Sequence, residues 1–258
     1  MNLLLGGTSE ARAILELLQK HKKRAVATTV TSYGGSLASG GNNLEIVSRA
    51  MNESDLDNLV AEKNIKTVID ATHPFAAKIT EVAIDVCERN QINYIRFERP
   101  KLELEMDSNL VQWVEDFEAA AEAVGSMNCP FLLTSGSKNL GEFFNHPKIK
   151  KENIYARVLP DPQVMQKCMD LGSTPKQIIA VQGPCTYEFN AACYKQLNIN
   201  AIVTKESGTR GGFKEKIQAA IDLGLQVVVI KRPKIAGMEI AEIVWSIEEI
   251  EKIIKERL

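Results

Sequence analysis

Gly6, Gly7, Thr8 and Ser9 follow the apolar run Leu3 to Leu5 and precede Glu10, Ala11 and Arg12, so a buried strand passes through a glycine turn into a helix. Two glycines let the backbone bend sharply and approach a ligand, and Thr8 or Ser9 caps the helix. The helix start offers N–H groups and a positive dipole end, which together cradle phosphate. The dinucleotide fingerprint asks for glycine at its first, third and sixth positions. Counted from Gly6, the third and sixth are Thr8 and Ala11. Two readings therefore stay open: a nucleotide phosphate site, and a tight turn that binds nothing.

A second group lies in Val68 to Thr80, VIDATHPFAAKIT, where Asp70, Thr72 and His73 fall at the end of another buried strand. The carboxyl ends of strands are where open α/β sheets bind ligands. His73 can act there, or it can be a turn histidine bonded to backbone. The segment Tyr94 to Pro100, YIRFERP, adds Arg96, Glu98 and Arg99. The two arginines can grip carboxylates; taken alone, the residues favour an internal salt bridge of either one with Glu98.

Other chemistries are excluded by spacing. His21, His73 and His146 are far apart with no H-E-x-x-H motif, so no protein metal site is expected. None of the five tyrosines has a lysine four residues later, which removes the short-chain dehydrogenase pair. Cys87, Cys129, Cys168, Cys185 and Cys193 contain no C-x-x-C pair and read as buried thiols. With 45% hydrophobic and 25% charged residues and a formal charge of −2, the chain has no basic footprint for nucleic acid or anionic membrane. It has no bilayer-length apolar run and no leader pattern, so a cytoplasmic protein with a small-molecule partner is expected.

The elements that must hold these residues alternate regularly. Strands are predicted at Leu3–Leu5, 25–31, 67–70, 94–100, 110–114, 130–134, 153–158, 177–181, 201–204 and 226–230. Helices are predicted from the Thr8–Ser9 turn, over 54–62 with Ser54 as cap, from Pro74, and over 116–124, 162–171, 187–197 and 213–223. This is an α/β chain of two domains with mainly parallel sheets. After the second strand, Thr31, Ser32 and Tyr33 stand where the ribose of a dinucleotide is read. With no acidic residue there and hydroxyls able to meet a 2′-phosphate, they lean towards NADPH over NADH. Residues 100–109 are the expected hinge, giving domains 1–100 and 101–258. An internal echo, VQWVEDFEAAAEAV at 111–124 and IVWSIEEIEKIIK at 243–255, predicts two edge strands each followed by a helix. Ser246 and Glu249 form the second helix's capping box, and helix 246–258 has the option of returning to the first domain.

Taken in order, LLLGGTSEAR, TSYGG, DATHPFA, RFERP, LLTSGSKNL, VQGP and VTKESG closely resemble the precorrin-6A reductase family of cobalamin biosynthesis, cobalt-precorrin-6A reductases included. The set spans residues 3 to 208, and DATHPFA followed by RxERP is its most distinctive part. The resemblance implies two Rossmann-like domains with a ligand cleft between them, and an oxidoreductase that reduces one double bond of a tetrapyrrole macrocycle with NADPH or NADH. It makes the first domain cofactor-binding, through Gly6, Gly7, Thr8, Ser9, Thr31, Ser32, Tyr33 and Thr72. The second then contributes to the substrate site. Such a substrate is rich in carboxylates, and Arg96, Arg99, Lys205, Ser207 and Gly208, with Arg210 behind them, are the implied contacts. Asp70 and His73 are the candidate catalytic residues, His73 as proton donor in competition with water. A ligand sensor without chemistry is the alternative on the same fold.

Overall fold

The structure is a computed structural model and describes residues 1–29, 43–100, 109–208 and 211–258. It divides into two compact units, Met1–Arg99 with Lys234–Leu258, and Pro100–Pro233. Each is built on one sheet of six parallel strands.

The first unit alternates β1 (Asn2–Leu5), α1 (Ser9–Lys20), β2 (Ala25–Thr29), β3 (Leu44–Ser48), α2 (Glu53–Glu62), β4 (Thr67–Asp70), α3 (Ala77–Asn90) and β5 (Asn93–Phe97). In the second follow β6 (Val111–Val114), α4 (Phe117–Met127), β7 (Phe131–Leu133), α5 (Leu140–Phe144), β8 (Ile154–Val158), α6 (Pro162–Asp170), β9 (Ile178–Ala180), α7 (Tyr187–Leu197), β10 (Ala201–Lys205), α8 (Phe213–Asp222) and β11 (Gln226–Ile230). Finally β12 (Glu242–Val244) and α9 (Ile247–Arg257) join the first unit. Strand order is β12-β5-β4-β1-β2-β3 in one sheet and β6-β11-β10-β7-β8-β9 in the other. The two echoed strands, β12 and β6, are both edge strands, and residues 234–258 lie outside the expected 101–258 domain.

The alternation of β1 explains why it is central. Leu4 faces a core shared with Ile14 and Leu18 of α1 and Ile250 and Ile254 of α9. Leu3 and Leu5 face the opposite core, with Leu56 of α2 and Ile84 of α3. Burial of each such side chain contributes about 1.5–3 kcal/mol. In the second unit Leu132, Ile202 and Val227 pack with Tyr194, Phe213 and Ile217 of α7 and α8. Among the described residues, no helix is long and apolar enough to cross a membrane.

Local chemistry corrects two expected boundaries and one expected capping box. Helix α2 is capped by Asn52 rather than Ser54, since Asn52 Oδ1 accepts from Asp55 N (2.9 Å) while Asp55 Oδ2 accepts from Asn52 N (3.1 Å). Helix α3 starts at Ala77, not at Pro74, because His73–Ala76 closes its own turn through Ala76 N to His73 O at 2.7 Å. At α9, Ser246 accepts from Glu249 N, but Glu249 returns its carboxylate to Trp245 N instead of completing the box.

Candidate active site

In the first sheet the chain leaves β1 towards β2 on one side and returns to β4 on the other, so β1 and β4 form the switch point where ligands bind outside the carboxyl ends. The turns Gly6–Ser9 and Ala71–His73 flank it. Gly6 N donates to Thr28 O at 3.0 Å, and a Cβ on Gly6 would lie 3.0 Å from that same oxygen. Gly7 has φ +114, a conformation suited to glycine, and its Cβ direction meets nothing within 4 Å. Thr8 joins the two turns: its Oγ1 accepts from Ala11 N (3.1 Å) as helix cap and donates to Ala71 O (2.7 Å). Ser9 donates to Glu10 Oε2 at 3.0 Å. Burial pushes the Glu10 carboxyl up, but Arg99, 2.8 Å away, more than offsets this and holds it below its usual range. The cradle thus combines an open glycine, a helix start and an acid already neutralised, which fits the pyrophosphate of a dinucleotide.

Across the switch point, Asp70 and Arg96 are register partners on β4 and β5, which puts their side chains on one face. Asp70 is fully buried, accepts three hydrogen bonds and forms one ion pair. Thr72 N and Arg96 Nη1 reach Oδ1, both at 2.9 Å, and Thr80 Oγ1 and Tyr94 OH reach Oδ2, both at 2.8 Å. Arg96, with 0% exposure, also donates to Glu98 (3.0 Å) and Thr72 Oγ1 (3.1 Å). Burial opposes the Arg96 charge, yet Asp70 and Glu98 raise its pKa overall. Burial first and Asp70 second push the Tyr94 hydroxyl up and the Cys87 thiol up to about 12. Asp70 and Arg96 therefore form the frame of the strand end. A substrate contact through Arg96 gives way to an internal ion pair, because a guanidinium enclosed by two carboxylates is committed to them. Arg99 is likewise tied, to Glu10.

His73 follows this frame. Its Nδ1 accepts from Phe75 N (3.1 Å) and its ring tilts against Phe75 at 5.9 Å. An Nδ1 that accepts from a backbone N–H leaves Nε2 as the nitrogen that can carry a proton.

The second unit repeats the device. Its switch point lies between β7 and β10, beside Thr134–Ser137 and Glu206–Gly208. Glu206 is buried, accepts from Gly208 N (3.1 Å) and pairs with Arg232 through both carboxylate oxygens. Asp70 with Thr72 N and Arg96 is the matching triplet in the first unit. The Gly208 N–H is consequently turned to Glu206, away from the role of substrate donor. Lys205 ends β10, half-buried, and burial followed by Lys138 lowers its pKa to about 8. Ser207 is buried beside it. Thr31, Ser32, Tyr33 and Arg210, and most of the expected hinge, lie outside the described residues.

Sequence reasoning missed Glu10, Tyr94, Thr80, Glu206 and Arg232. A usable signal existed: oppositely charged residues at the same end of neighbouring parallel strands, as in D70/R96, pair once the strand order is known.

The whole length of the chain agrees with this construction. Residues 2–255 match the family described as Precorrin-6x reductase CbiJ/CobK. The chain is 36% identical over 236 residues to the cobalt-precorrin-6A reductase of Priestia megaterium, covering 91% of each protein. It is 34% identical over 234 residues to that of Methanothermobacter thermautotrophicus, covering 90% of this chain and 76% of the relative. The precorrin-6A reductase of Mycobacterium tuberculosis is 30% identical over 236 residues, with 90% and 88% covered. A solved CobK precorrin-6A reductase has the same fold, with a TM-score of 0.79 at 24% identity over 97% of this chain and 94% of that one. With two doubly wound units, a phosphate-type turn at the first switch point and a match that runs nearly end to end, this chain belongs to the precorrin-6x reductase family.

Proposed function

We propose that this protein is a cytoplasmic, NADPH-dependent reductase that adds two hydrogens across one double bond of the cobalt-precorrin-6A macrocycle. The observation that carries the reading is the open Gly6–Ser9 cradle stitched by Thr8 to the Asp70 frame, in a member of this family. Cobalt in the substrate is supported by the higher identity to the cobalt-precorrin relatives from Priestia and Methanothermobacter. A metal held by four ring nitrogens needs no protein ligand.

When bound, the nicotinamide supplies a hydride. The protein's own part is placement. Gly6, Gly7, Thr8 and Ser9 hold the pyrophosphate, and Thr31, Ser32 and Tyr33 read the ribose and its 2′-phosphate. Asp70 and Arg96 fix the β4 and β5 ends, and with them Thr72 and His73, beside the reacting atoms. His73 offers Nε2–H as an orienting donor, and water supplies the proton. Lys205 and Ser207 meet substrate carboxylates.

His73→Ala is expected to raise KM several-fold and to lower kcat less than about tenfold, below the usual range for loss of a general acid. A kcat loss of more than about a hundredfold with KM unchanged would restore His73 as the proton donor. The reading as a whole is tested by an anaerobic assay that offers precorrin-6A and cobalt-precorrin-6A with NADPH and with NADH. Fastest turnover with the cobalt macrocycle and NADPH is expected; equal efficiency with both cofactors would refute the NADPH preference, and cofactor binding without reduction of either macrocycle would make the protein a sensor.

A further inference from the structure

Every other strongly buried arginine of the described residues has a carboxylate: Arg96 has Asp70 and Glu98, Arg99 has Glu10, and Arg232 has Glu206. Arg157 on β8 is different. It is 7% exposed, its Nη1 donates to Asn190 Oδ1 at 2.6 Å and its guanidinium also meets the Tyr194 hydroxyl, so its partners are neutral, with no paired carboxylate among the described residues. Asn190 is fully buried on α7 and gives its Nδ2 to Thr186 O (2.7 Å) and Cys185 O (3.3 Å), so its acceptor is the end turned to Arg157. A neutral amide does not balance a guanidinium withdrawn from water.

A second cation, Lys216, lies within electrostatic reach of the first. Lys216 lies on α8, which Tyr194 of α7 joins by donating to Lys216 O at 3.3 Å. Burial, then Arg157, then Lys205, lower the Lys216 pKa to about 8, while Cys185 and Glu215 oppose them weakly. Two like charges thus act on each other in one place, and the Glu215 carboxylate, whose Oε2 is buried without a partner, offsets them only in part. That place is the carboxyl end of the second sheet: Arg157 comes one residue after the Leu133–Ala156 pair, and Lys205 is the last residue of β10. The VQGP turn closes it, since a Cβ on Gly212, the cap of α8, would lie 3.1 Å from Pro184 Cβ.

We propose that Arg157 and Lys216 form a carboxylate-binding subsite of the second unit that takes an acidic side chain of the tetrapyrrole substrate. This rests on the reductase reading above. A guanidinium held by neutral partners and a nearby ammonium suit a carboxylate that bridges them, and the bound anion supplies the paired carboxylate that Arg157 lacks among the described residues.

The test uses the full-length protein with Lys216→Met, Arg157→Gln and Arg157→Lys. Cobalt-precorrin-6A and NADPH affinities, KM, kcat and thermal midpoint are measured for each. Lys216→Met is expected to weaken macrocycle binding and raise KM about tenfold or more, the size of one charge-assisted hydrogen bond. It should leave NADPH affinity alone and not lower the midpoint, because it relieves a repulsion; a purely structural lysine would do the reverse. Arg157→Lys should recover part of the affinity lost in Arg157→Gln. Unchanged macrocycle affinity in Lys216→Met overturns the subsite, as does a loss confined to NADPH or inorganic phosphate, which would make it a phosphate site. Failure of the wild type to reduce the macrocycle would instead strike the reductase reading, and the subsite with it.

Discussion

Gly7→Val is expected to reduce NADPH affinity by at least about a hundredfold, near 3 kcal/mol, while the first unit keeps its fold. Two effects add. Valine at φ +114 is strained by about 1–3 kcal/mol, and it relieves that strain by turning the peptide away from the shape proposed to receive phosphate. Its side chain also enters the space that glycine leaves open, since nothing of the protein lies within 4 Å of the Cβ position. The absence of protein neighbours is why the loss falls on the ligand and not on core packing. Gly7→Ala should fall between. Calorimetry that found wild-type affinity in Gly7→Val would move the phosphate site elsewhere.

The second large effect is on stability. Removing the Asp70 carboxylate leaves Thr72 N, Thr80 Oγ1 and Tyr94 OH without their acceptor and leaves Arg96 only the Glu98 carboxylate and the Thr72 hydroxyl. Breaking a buried pair in this way costs about 3–5 kcal/mol, so Asp70→Ala should unfold the first unit at markedly lower urea concentration. Asp70→Asn should recover little, because its amide turns two donors towards donors. Trp245 lies in the first unit and Trp113 in the second, so a Trp113→Phe background reports the first unit by fluorescence. An unchanged urea midpoint in Asp70→Ala would show that the network does not hold the strand end.

The unequal legibility of these features has physical causes. The β1 turn was readable because three leucines, two glycines and a hydroxyl cap act locally, and local signals survive in a sequence. The paired edge strands were readable because a Trp-bearing strand and an acidic helix start recur. Strand β3 and helix α5 were not: LEIVS is a half-exposed pairing partner of β2, and LGEFF is a single turn and a half anchored by Leu140, Phe143 and Phe144. The roles of Arg96 and Arg99 depended on partners 26 and 89 positions away, which only the strand order and the fold of α1 bring into reach. Arg157 raised no signal at all, since one arginine in a strand is ordinary until its surroundings are known.

The most direct test of the account is a single anaerobic turnover with NADPH deuterated at its transferable position, followed by mass spectrometry of the tetrapyrrole. The account predicts a product that has gained one deuterium from the cofactor and one hydrogen from solvent. A reduced product with no deuterium would contradict hydride delivery from the cofactor held at Gly6–Ser9, and an unchanged macrocycle would contradict the reductase itself.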